Sequence, residues 1–375
     1  MRADRSRPLR WVLAGALALW AVASARAGAP DRIWPRGAKN PIVATIVEET
    51  IDGIKTAGGA GFSPVAIEKI EYGDAPAAFR EGVTHYESGR YEDAVKYFES
   101  AMRLPNVRKF WLRPACLYYM GLCYLESRSD LAKAEKTLTD LLAEYPKTRW
   151  LPDALLALGR AYLAAKNYQK AYAQFDKLAK LATARSWERW ALRAYLWEGR
   201  CLLEEKNYDK ALATLRKVTT ADPTRYGDLV IQAKTAEATV YVRKGDYKKG
   251  ADLLRKLIRE IGPKVAKEIN DGSGNRMQRT EAQCYNALGQ CYLKQAAKTN
   301  NPDDYREALL AFLWTVVLHS QFPTEHAEAL YYAAECFKKL KENSRATELL
   351  NELLERYPDS SFARKLQPAK KESAK

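Results

Sequence analysis

Residues 153–175 have the sequence DALLALGRAYLAAKNYQKAYAQF, and this stretch decides the fold. Leu155, Leu158 and Tyr162 recur three or four residues apart, which is the spacing of one apolar face of a helix. A polar KN break follows, and the segment AYAQF then repeats the four-residue apolar spacing. The stretch therefore predicts two apolar helices joined by a short polar turn.

The same pattern occurs seven times along the 375-residue chain, each time around one small residue. The seven small residues are Gly82, Gly121, Gly159, Gly199, Ala238, Gly289 and Ala334. They follow one another at steps of 39, 38, 40, 39, 51 and 45 residues. A period of this size is typical of a repeat array. The search for function therefore turns from a catalytic centre to a surface that the repeats share.

The second repeat shows the pattern in full, with Gly121, Tyr124, Ala134, Leu138 and Pro146. It resembles the tetratricopeptide repeat, W-x2-L-G-x2-Y followed by A-x3-F and P. The resemblance covers about residues 76–360 and implies an all-α solenoid of about seven helix pairs. In such a pair the small residue lets two antiparallel helices approach closely. One departure is the period, which exceeds the usual ~34 residues and requires longer helices or longer loops.

The N-terminus predicts a cleaved secretory signal over residues 1–27. Four arginines lie within the first ten residues, and the apolar stretch that follows, residues 11–22, is too short to span a bilayer. Residues 25–27, Ala-Arg-Ala, form a cleavage motif, with residues 23–25 as the alternative. We therefore expect a periplasmic or secreted protein without a transmembrane segment; retention of residues 11–22 as a membrane anchor is the alternative.

Residues 28–75 differ from the repeats. Ile and Val are frequent in two short stretches, residues 41–48 and 65–72, and glycines interrupt the segment between them. This pattern predicts a short β-meander. Because so short a segment buries too little surface to be robust alone, we expect a small β-rich module that leans on the first repeat. At the other end, residues 361–375 are expected to form a polar, basic and frayed tail.

The chain is strongly basic, with a formal net charge of +15. Removal of residues 1–27, which contain five arginines and one aspartate, would leave +11. Basic chains favour acidic partners such as nucleic acid, anionic lipid or acidic protein, and export argues against nucleic acid. The basic residues are also interspersed with Asp and Glu along the helices. Much of the charge is therefore expected to be an ordinary solvated face.

The six cysteines do not suggest a disulfide framework. Cys116 and Cys123 are seven residues apart on one predicted helix, about 10 Å at a rise of ~1.5 Å per residue, and Cys284 and Cys291 have the same spacing. That separation is too long for a disulfide within either pair. Four cysteines follow the small residue of their repeat by two positions, where a buried residue is expected. We therefore predict packing thiols in preference to metal or redox chemistry.

Motifs for catalysis are missing from the sequence. It contains no His-Glu-x-x-His, Cys-x-x-Cys, Gly-x-Ser-x-Gly or phosphate-loop pattern. Residues 271–275, DGSGN, weakly resemble a calcium loop, but Arg276 stands where that loop needs glycine and Ala282 where it needs glutamate. We interpret them as an ordinary loop that lengthens the connection between the fifth and sixth repeats. The sequence therefore predicts no catalytic residue, no metal site and no cofactor.

An aromatic and basic stretch at residues 185–197 has two interpretations. One helical stripe contains Trp187, Trp190, Ala194 and Trp197. Such a stripe more often packs in the core between repeats. The alternative is an aromatic and basic recognition surface.

The resemblance also implies where a ligand would bind, because the first helices of tetratricopeptide repeats line a concave groove. Residues carried over by position are basic in the middle of the chain: Arg160, Arg193, Arg200, Arg243 and Lys294. Amides add to them: Gln232, Gln283, Asn286 and Gln290. We expect a basic, amide-rich groove that suits an extended acidic peptide or a C-terminal carboxylate.

These observations predict a non-enzymatic protein-binding scaffold of the cell envelope or the secreted space. Two alternatives stay open. One is a carrier for an anionic cell-wall or surface polymer, which a basic groove would also suit. The other is an accessory unit of an envelope hydrolase. The sequence does not predict the oligomeric state or the identity of the ligand.

Overall fold

A computed structural model describes residues 29–104, 109–128, 130–272 and 274–366 of the chain. The predicted signal segment lies outside these residues, and so does the end of the predicted basic tail, residues 367–375. Within the described residues the chain forms six short β-strands followed by fifteen α-helices.

The helices form seven consecutive pairs, one for each predicted repeat. The first helices of the pairs are α1 (Ala77–Glu87), α3 (Lys109–Ser127), α5 (Leu151–Ala164), α7 (Glu188–Glu204), α9 (Pro223–Lys244), α11 (Arg276–Thr299) and α13 (Pro323–Lys339). The second helices are α2 (Tyr91–Arg103), α4 (Leu131–Glu144), α6 (Tyr168–Ala184), α8 (Tyr208–Thr219), α10 (Tyr247–Asp271), α12 (Pro302–Leu318) and α14 (Asn343–Arg356). A short helix, α15 (Ser361–Arg364), follows them. The predicted fold class, an all-α solenoid of helix pairs preceded by a small β-module, is confirmed.

The small residue of the repeat marks the closest approach of two paired helices. A Cβ atom placed on Gly199 of α7 would lie 2.6 Å from Cδ2 of Leu215 on α8. One placed on Gly289 of α11 would lie 2.7 Å from the ring of Phe312 on α12. Side chains do not pack at such distances, so both positions need glycine. The repeat register predicted from the sequence is therefore correct at these two helix pairs.

Each pair has one residue with left-handed backbone conformation in its turn. These residues, with φ between 52° and 91°, are Gly89, Arg128, Lys166, Lys206, Gly245, Asn300 and Lys341. Glycine adopts this conformation without penalty and asparagine tolerates it, whereas other residues lose about 1–2 kcal/mol. The turn therefore keeps one backbone geometry although only two of the seven positions carry glycine.

The fifth pair is longer than its neighbours in sequence. Its first helix, α9, has 22 residues and its second, α10, has 25. The helix α9 is kinked at Tyr226, whose φ of −126° and ψ of 24° are not helical. The kink separates a short N-terminal turn from the part of α9 that packs like other first helices.

The extra length lies mainly in α10 and not in the loop that the sequence suggested. We expected residues 271–275 to lengthen the connection, but the helix continues through Pro263 as far as Asp271. The reason is apolar spacing: Leu257, Ile261 and Val265 are buried in one core at four-residue intervals. That buried face offsets the loss of one backbone hydrogen bond at the proline.

The N-terminal module consists of β1 (Asp31–Pro35), β2 (Ile42–Ala44), β3 (Ile46–Glu49), β4 (Ile54–Thr56), β5 (Gly61–Phe62) and β6 (Ile67–Glu71). They form two antiparallel sheets with the orders β2–β1–β6 and β3–β4–β5. The predicted simple meander is therefore wrong, because β6 returns to pair with β1. Ile33, Ile46 and Ile54 are fully buried and share one core with Phe79 of α1 and Trp111 of α3.

The module contacts more than the first repeat. Glu49, at the end of β3, accepts a hydrogen bond from the Tyr72 hydroxyl at 2.5 Å and forms an ion pair with Arg149, which follows α4. The Arg149 guanidinium lies 3.9 Å from the ring centroid of Trp150. Because a buried charge is costly once its partner is removed, this ion pair fixes the module to the segment between α4 and α5. The expectation that the module leans on the first repeat is therefore too narrow.

The chain divides after Gln174, within α6, into two compact units. The first unit contains the β-module and helices α1–α5. The second contains helices α7–α15. Each unit is described by itself below.

The cysteines are structural, as predicted. All six are buried, and none of them forms a disulfide. Burial raises the pKa of five thiols to about 12, so these thiols stay protonated: Cys116, Cys123, Cys284, Cys291 and Cys336. Neutral buried thiols act as packing groups.

The predicted start of the polar tail, residue 361, needs correction. Ala363 of α15 is fully buried beside Leu330 of α13 and Leu353 of α14, and Phe362 packs against the same cluster. A terminal repeat otherwise leaves one apolar side without a neighbour. The short helix covers part of that side, so the packed domain extends to at least Leu366.

Candidate binding site

The aromatic stripe on α7 is partly core and partly surface. Ala194 is fully buried, and the ring of Trp197 stacks on that of Phe175 with 6.0 Å between centroids. Trp190 and Trp197 are nevertheless only half-buried. The core interpretation therefore holds for part of the stripe, and the recognition surface stays a prediction.

Two predicted groove arginines stack on these tryptophans. The guanidinium of Arg193 lies 4.2 Å from the ring centroid of Trp190, and that of Arg200 lies 4.7 Å from Trp197. Because the two arginines are seven residues apart, they lie on one face of α7, about 10 Å from each other along the helix axis. Stacking occupies the flat face of a guanidinium and orients its N–H edge, which is the part that binds a carboxylate.

The other two arginines form ion pairs between successive first helices. Arg243, near the end of α9, lies 3.5 Å from Glu204 at the end of α7. In the first unit, Arg160 of α5 donates to Glu126 of α3 at 2.8 Å. In both pairs, the arginine of one first helix contacts the glutamate of the preceding first helix. Each arginine therefore lies on the first-helix side of its own unit.

The predicted amides of α11 are hydrogen-bonded to the next repeat. Gln283 donates to the Oε1 atom of Glu325 at 2.8 Å, and Gln290 donates to Glu328. Asn286 donates to the Glu325 carbonyl at 2.9 Å and to Glu328 Oε2 at 3.2 Å. These amides thus hold two carboxylates of α13 in place.

The acidic residues of this cluster were not among the predicted site residues. Glu325 is buried, and its Oε2 atom has no hydrogen-bond partner among the described residues. Burial raises the pKa of Glu328, and the hydrogen bonds from Asn286 and Gln290 act in the opposite direction. The repeat register does contain a signal for Glu328, which lies six residues before Ala334, as Arg193 lies six before Gly199.

The two remaining predicted residues lie on the same series of helices. Gln232 is partly exposed on α9, and Lys294 is exposed on α11. In the second unit, α7 contacts α9, α9 contacts α11, and α11 contacts α13. The structure therefore brings the predicted residues of this unit onto consecutive first helices, with a basic start on α7 and an acidic end on α13.

Sequence and structure comparisons agree with this architecture. Family models described as tetratricopeptide repeat match residues 75–106, 115–148, 192–225 and 328–360, which cover the first helix pair and most of the second, fourth and seventh helix pairs. The chain is a tetratricopeptide-repeat protein. In the part of this repeat protein that the structure describes, no helix is both long and apolar enough to cross a membrane.

Solved structures with a similar fold cover most of the chain. One is a tetratricopeptide repeat protein from Parabacteroides merdae, with 14% identity over 77% of this chain and 95% of that chain and a TM-score of 0.53. Another is the apo form of RapI, with 13% identity over 77% and 97% of the two chains and a TM-score of 0.51. A third is a signal transduction ATPase with a tetratricopeptide repeat sensor from Pyrococcus horikoshii, with 15% identity over 77% and 43% and a TM-score of 0.52. At such identities the similarity shows the fold alone.

The repeat fold defines a general role. Arrays of this type present extended concave surfaces that bind other proteins, and they generally carry no catalytic centre.

Proposed function

We propose that this repeat protein is a non-enzymatic scaffold that binds an acidic peptide segment, or a C-terminal carboxylate, along the first helices of its second unit. The segment would lie across α7 and α9, with Arg193, Arg200 and Arg243 as its main contacts. Gln232 and Lys294 would extend the contact surface toward α11. Arg160 belongs to the first unit and stays a separate prediction.

The single observation that carries this proposal is the pair of stacked arginines on α7. A guanidinium fixed on an indole ring has lost much of its rotational freedom before a ligand arrives. Two such groups about 10 Å apart match the distance between carboxylates three residues apart in a polyproline II segment, at about 3.1 Å per residue, where residues three apart share one face. A peptide in this extended conformation can therefore reach both arginines.

The acidic cluster on α13 supports a direction for the ligand. Glu328, with Glu325 behind it, would repel a carboxylate and would tolerate a basic or neutral side chain. An acidic group would therefore bind over α7, and the opposite end of the same segment would point toward α13.

The proposed location is the periplasm or the extracellular space. Its support is the sequence of residues 1–27, with basic residues, a short apolar stretch and an Ala-x-Ala motif in that order. Mass spectrometry of the exported protein tests this directly: a mature chain that begins at Gly28, or at Arg26 for the earlier motif, supports it. A native chain that keeps Met1 and stays in the membrane fraction contradicts it.

Binding can be tested with labelled ten-residue peptides that end in a free carboxylate, one Asp/Glu-rich and one uncharged. Fluorescence anisotropy with the mature chain should show saturable binding of the acidic peptide only. The triple variant Arg193→Ser, Arg200→Ser, Arg243→Ser should weaken this binding at least tenfold, since each charge contact contributes on the order of 1 kcal/mol. The affinity should also fall as salt is added, because exposed charges are screened beyond about 8 Å at physiological ionic strength.

A matched control removes three exposed lysines from second helices, Lys177→Ser, Lys210→Ser and Lys248→Ser. Both variants lose three positive charges, so general electrostatic attraction falls equally. If the two variants lose the same affinity, a specific groove is refuted. In that case strong binding of an anionic polysaccharide such as alginate would favour the polymer-carrier alternative.

A further inference from the structure

A second basic site lies at the edge of the second unit, outside the proposed groove. Here a pocket of about 360 Å³ opens between the start of α9, the end of α10 and the start of α11. Five cationic side chains line it: Arg189, Arg225, Lys264, Lys267 and Arg276. Two carboxylates line it as well, so cations exceed anions by three.

Both carboxylates of the pocket already have partners. Asp228 accepts two hydrogen bonds from Arg189, at 2.5 and 3.4 Å, and lies 3.6 Å from Arg276. Glu268 accepts hydrogen bonds from two backbone N–H groups at the start of α11, at 2.8 and 3.2 Å. The carboxylates therefore orient the arginines and cap the helix, and they neutralise only part of the positive charge.

Of the three cations that Asp228 does not contact, Arg225 lies 3.8 Å from Glu188, and the other two are the lysines. Among the described residues, no carboxylate lies within ion-pair distance of Lys264 or Lys267. The Nζ atom of Lys264 reaches the first turn of α9, where it would lie 3.6 Å from a Cβ atom placed on Gly227. The N-terminal end of a helix is itself partly positive. An anion at this point would be stabilised by the ammonium group and by the helix end together.

The pocket is a product of the elongated fifth repeat. The kink at Tyr226 gives α9 its separate first turn, and the extension of α10 beyond Pro263 brings Lys264 and Lys267 opposite that turn. A regular repeat of about 34 residues has neither feature. The extra residues therefore build a concave, positively charged wall.

We propose that this pocket binds a small, multiply charged anion with phosphate or clustered carboxylate groups. The volume suits a compact ligand, since small-molecule sites typically occupy about 300–1,000 Å³. Arginines held in place by Asp228 and lysines on the opposite wall are the usual pair of groups that surround such an anion. None of the lining residues is among the proposed groove contacts, although Arg189 lies on α7, as Arg193 and Arg200 do.

Isothermal titration calorimetry on the full chain at low salt tests this proposal, with pyrophosphate as the phosphate probe and citrate as the carboxylate probe. At least one of them should bind saturably with one ligand per chain, and the probe that binds more tightly identifies the ligand class. The variant Lys264→Met, Lys267→Met should weaken that binding at least tenfold. The control variant Lys248→Met, Lys256→Met removes two exposed lysines from the same helix and should change it less than twofold.

A third variant is expected to strengthen binding of the anion, whereas the lysine variant weakens it. Asp228→Asn removes one negative charge from the pocket wall and should tighten binding several-fold. Circular dichroism confirms that each variant keeps its helical content. The proposal is overturned if neither probe binds the wild-type chain, if the control loses as much affinity as the lysine variant, or if a folded Asp228→Asn variant binds more weakly.

Discussion

The fourth and sixth repeats have the same framework but opposite groove chemistry. In both, a glycine on the first helix touches a large residue on the second: Gly199 and Leu215 in one, Gly289 and Phe312 in the other. The outward face of α7, however, carries arginines stacked on tryptophan rings. The corresponding face of α11 carries amides bonded to carboxylates of the following repeat.

The difference shows that a polar residue at a groove position can serve either a ligand or a neighbouring repeat. On α11 the neighbour, α13, supplies acceptors within hydrogen-bond distance, so the amides are structural. On α7 the two arginines stack on indole rings of their own helix, within one repeat. Four unfolding experiments, in order of decreasing expected effect on stability, test this difference between the two repeats.

The shared framework should be the most sensitive feature. Gly199→Leu and Gly289→Leu each force a side chain into a contact that is already closed, and each should cost about 3 kcal/mol of unfolding free energy, the upper end for overpacking. Urea unfolding of both variants measures this. Gly262→Leu on α10 is the control, because a Cβ atom there meets nothing within 4 Å. A small loss of unfolding free energy in one variant and a large loss in the other would show that the two repeats do not share a register.

The second expectation concerns the residue before the glycine, which is Glu198 in the fourth repeat and Leu288 in the sixth. Burial raises the pKa of Glu198 from its ordinary value of 4.5 to about 7, and nearby Lys217 acts in the opposite direction. Because the folded pKa is the higher one, this stability is fully present below about pH 4.5 and is lost as the pH rises through about 7. Wild type should therefore lose on the order of 2 kcal/mol relative to Glu198→Gln between pH 5 and pH 8.

Urea unfolding at several pH values checks this, with Glu205→Gln, an exposed carboxylate at the end of α7, as the control. If wild type and Glu198→Gln show parallel pH profiles, the carboxyl group of Glu198 is hydrated and the buried description of this position fails.

The third experiment addresses the groove faces themselves. Asn286→Ala removes the amide donor from the Glu325 carbonyl and one of the two amide donors from Glu328, and one buried group left unsatisfied costs about 1–3 kcal/mol. Arg200→Ala removes a partly exposed stack on Trp197, which contributes about 0.5–1 kcal/mol. The unfolding free energy should thus fall by about 1 kcal/mol more for Asn286→Ala. The reverse order would mean that α7, and not α11, uses its groove residues for stability.

The smallest effect is expected in the turns of the same two repeats. Lys206 in the fourth has φ of 63° and Asn300 in the sixth has φ of 54°. Glycine relieves the left-handed conformation but adds freedom to the unfolded chain, so Lys206→Gly should gain about 0.5 kcal/mol and Asn300→Gly nearly nothing. Thermal unfolding resolves the pair. Equal gains would show that asparagine has no advantage at this turn.

The repeat framework could be predicted because it depends on local spacing. Three features recur in every repeat, and each acts within one helix pair: the small residue, a large residue three positions later, and a second small residue followed four positions later by Phe or Leu. The buried cysteines followed from the same register. The groove was harder to predict, since the position of a residue on the first helix does not reveal which residue of the next repeat it contacts. Glu328 was missed for this reason, although it occupies the same position before Ala334 as Arg193 does before Gly199.

The sequence by itself determined the number of helix pairs and the positions where paired helices touch, because those features depend on residues fewer than about 40 positions apart. Only the tertiary structure decided that the amides of α11 bond to α13, that Glu49 joins Arg149, 100 residues away, and that the elongated α10 forms a pocket with α9 and α11. Each of these depends on atoms from different repeats meeting within hydrogen-bond distance. Linear spacing carries no information on that distance, because it is set by how one helix pair packs on the next.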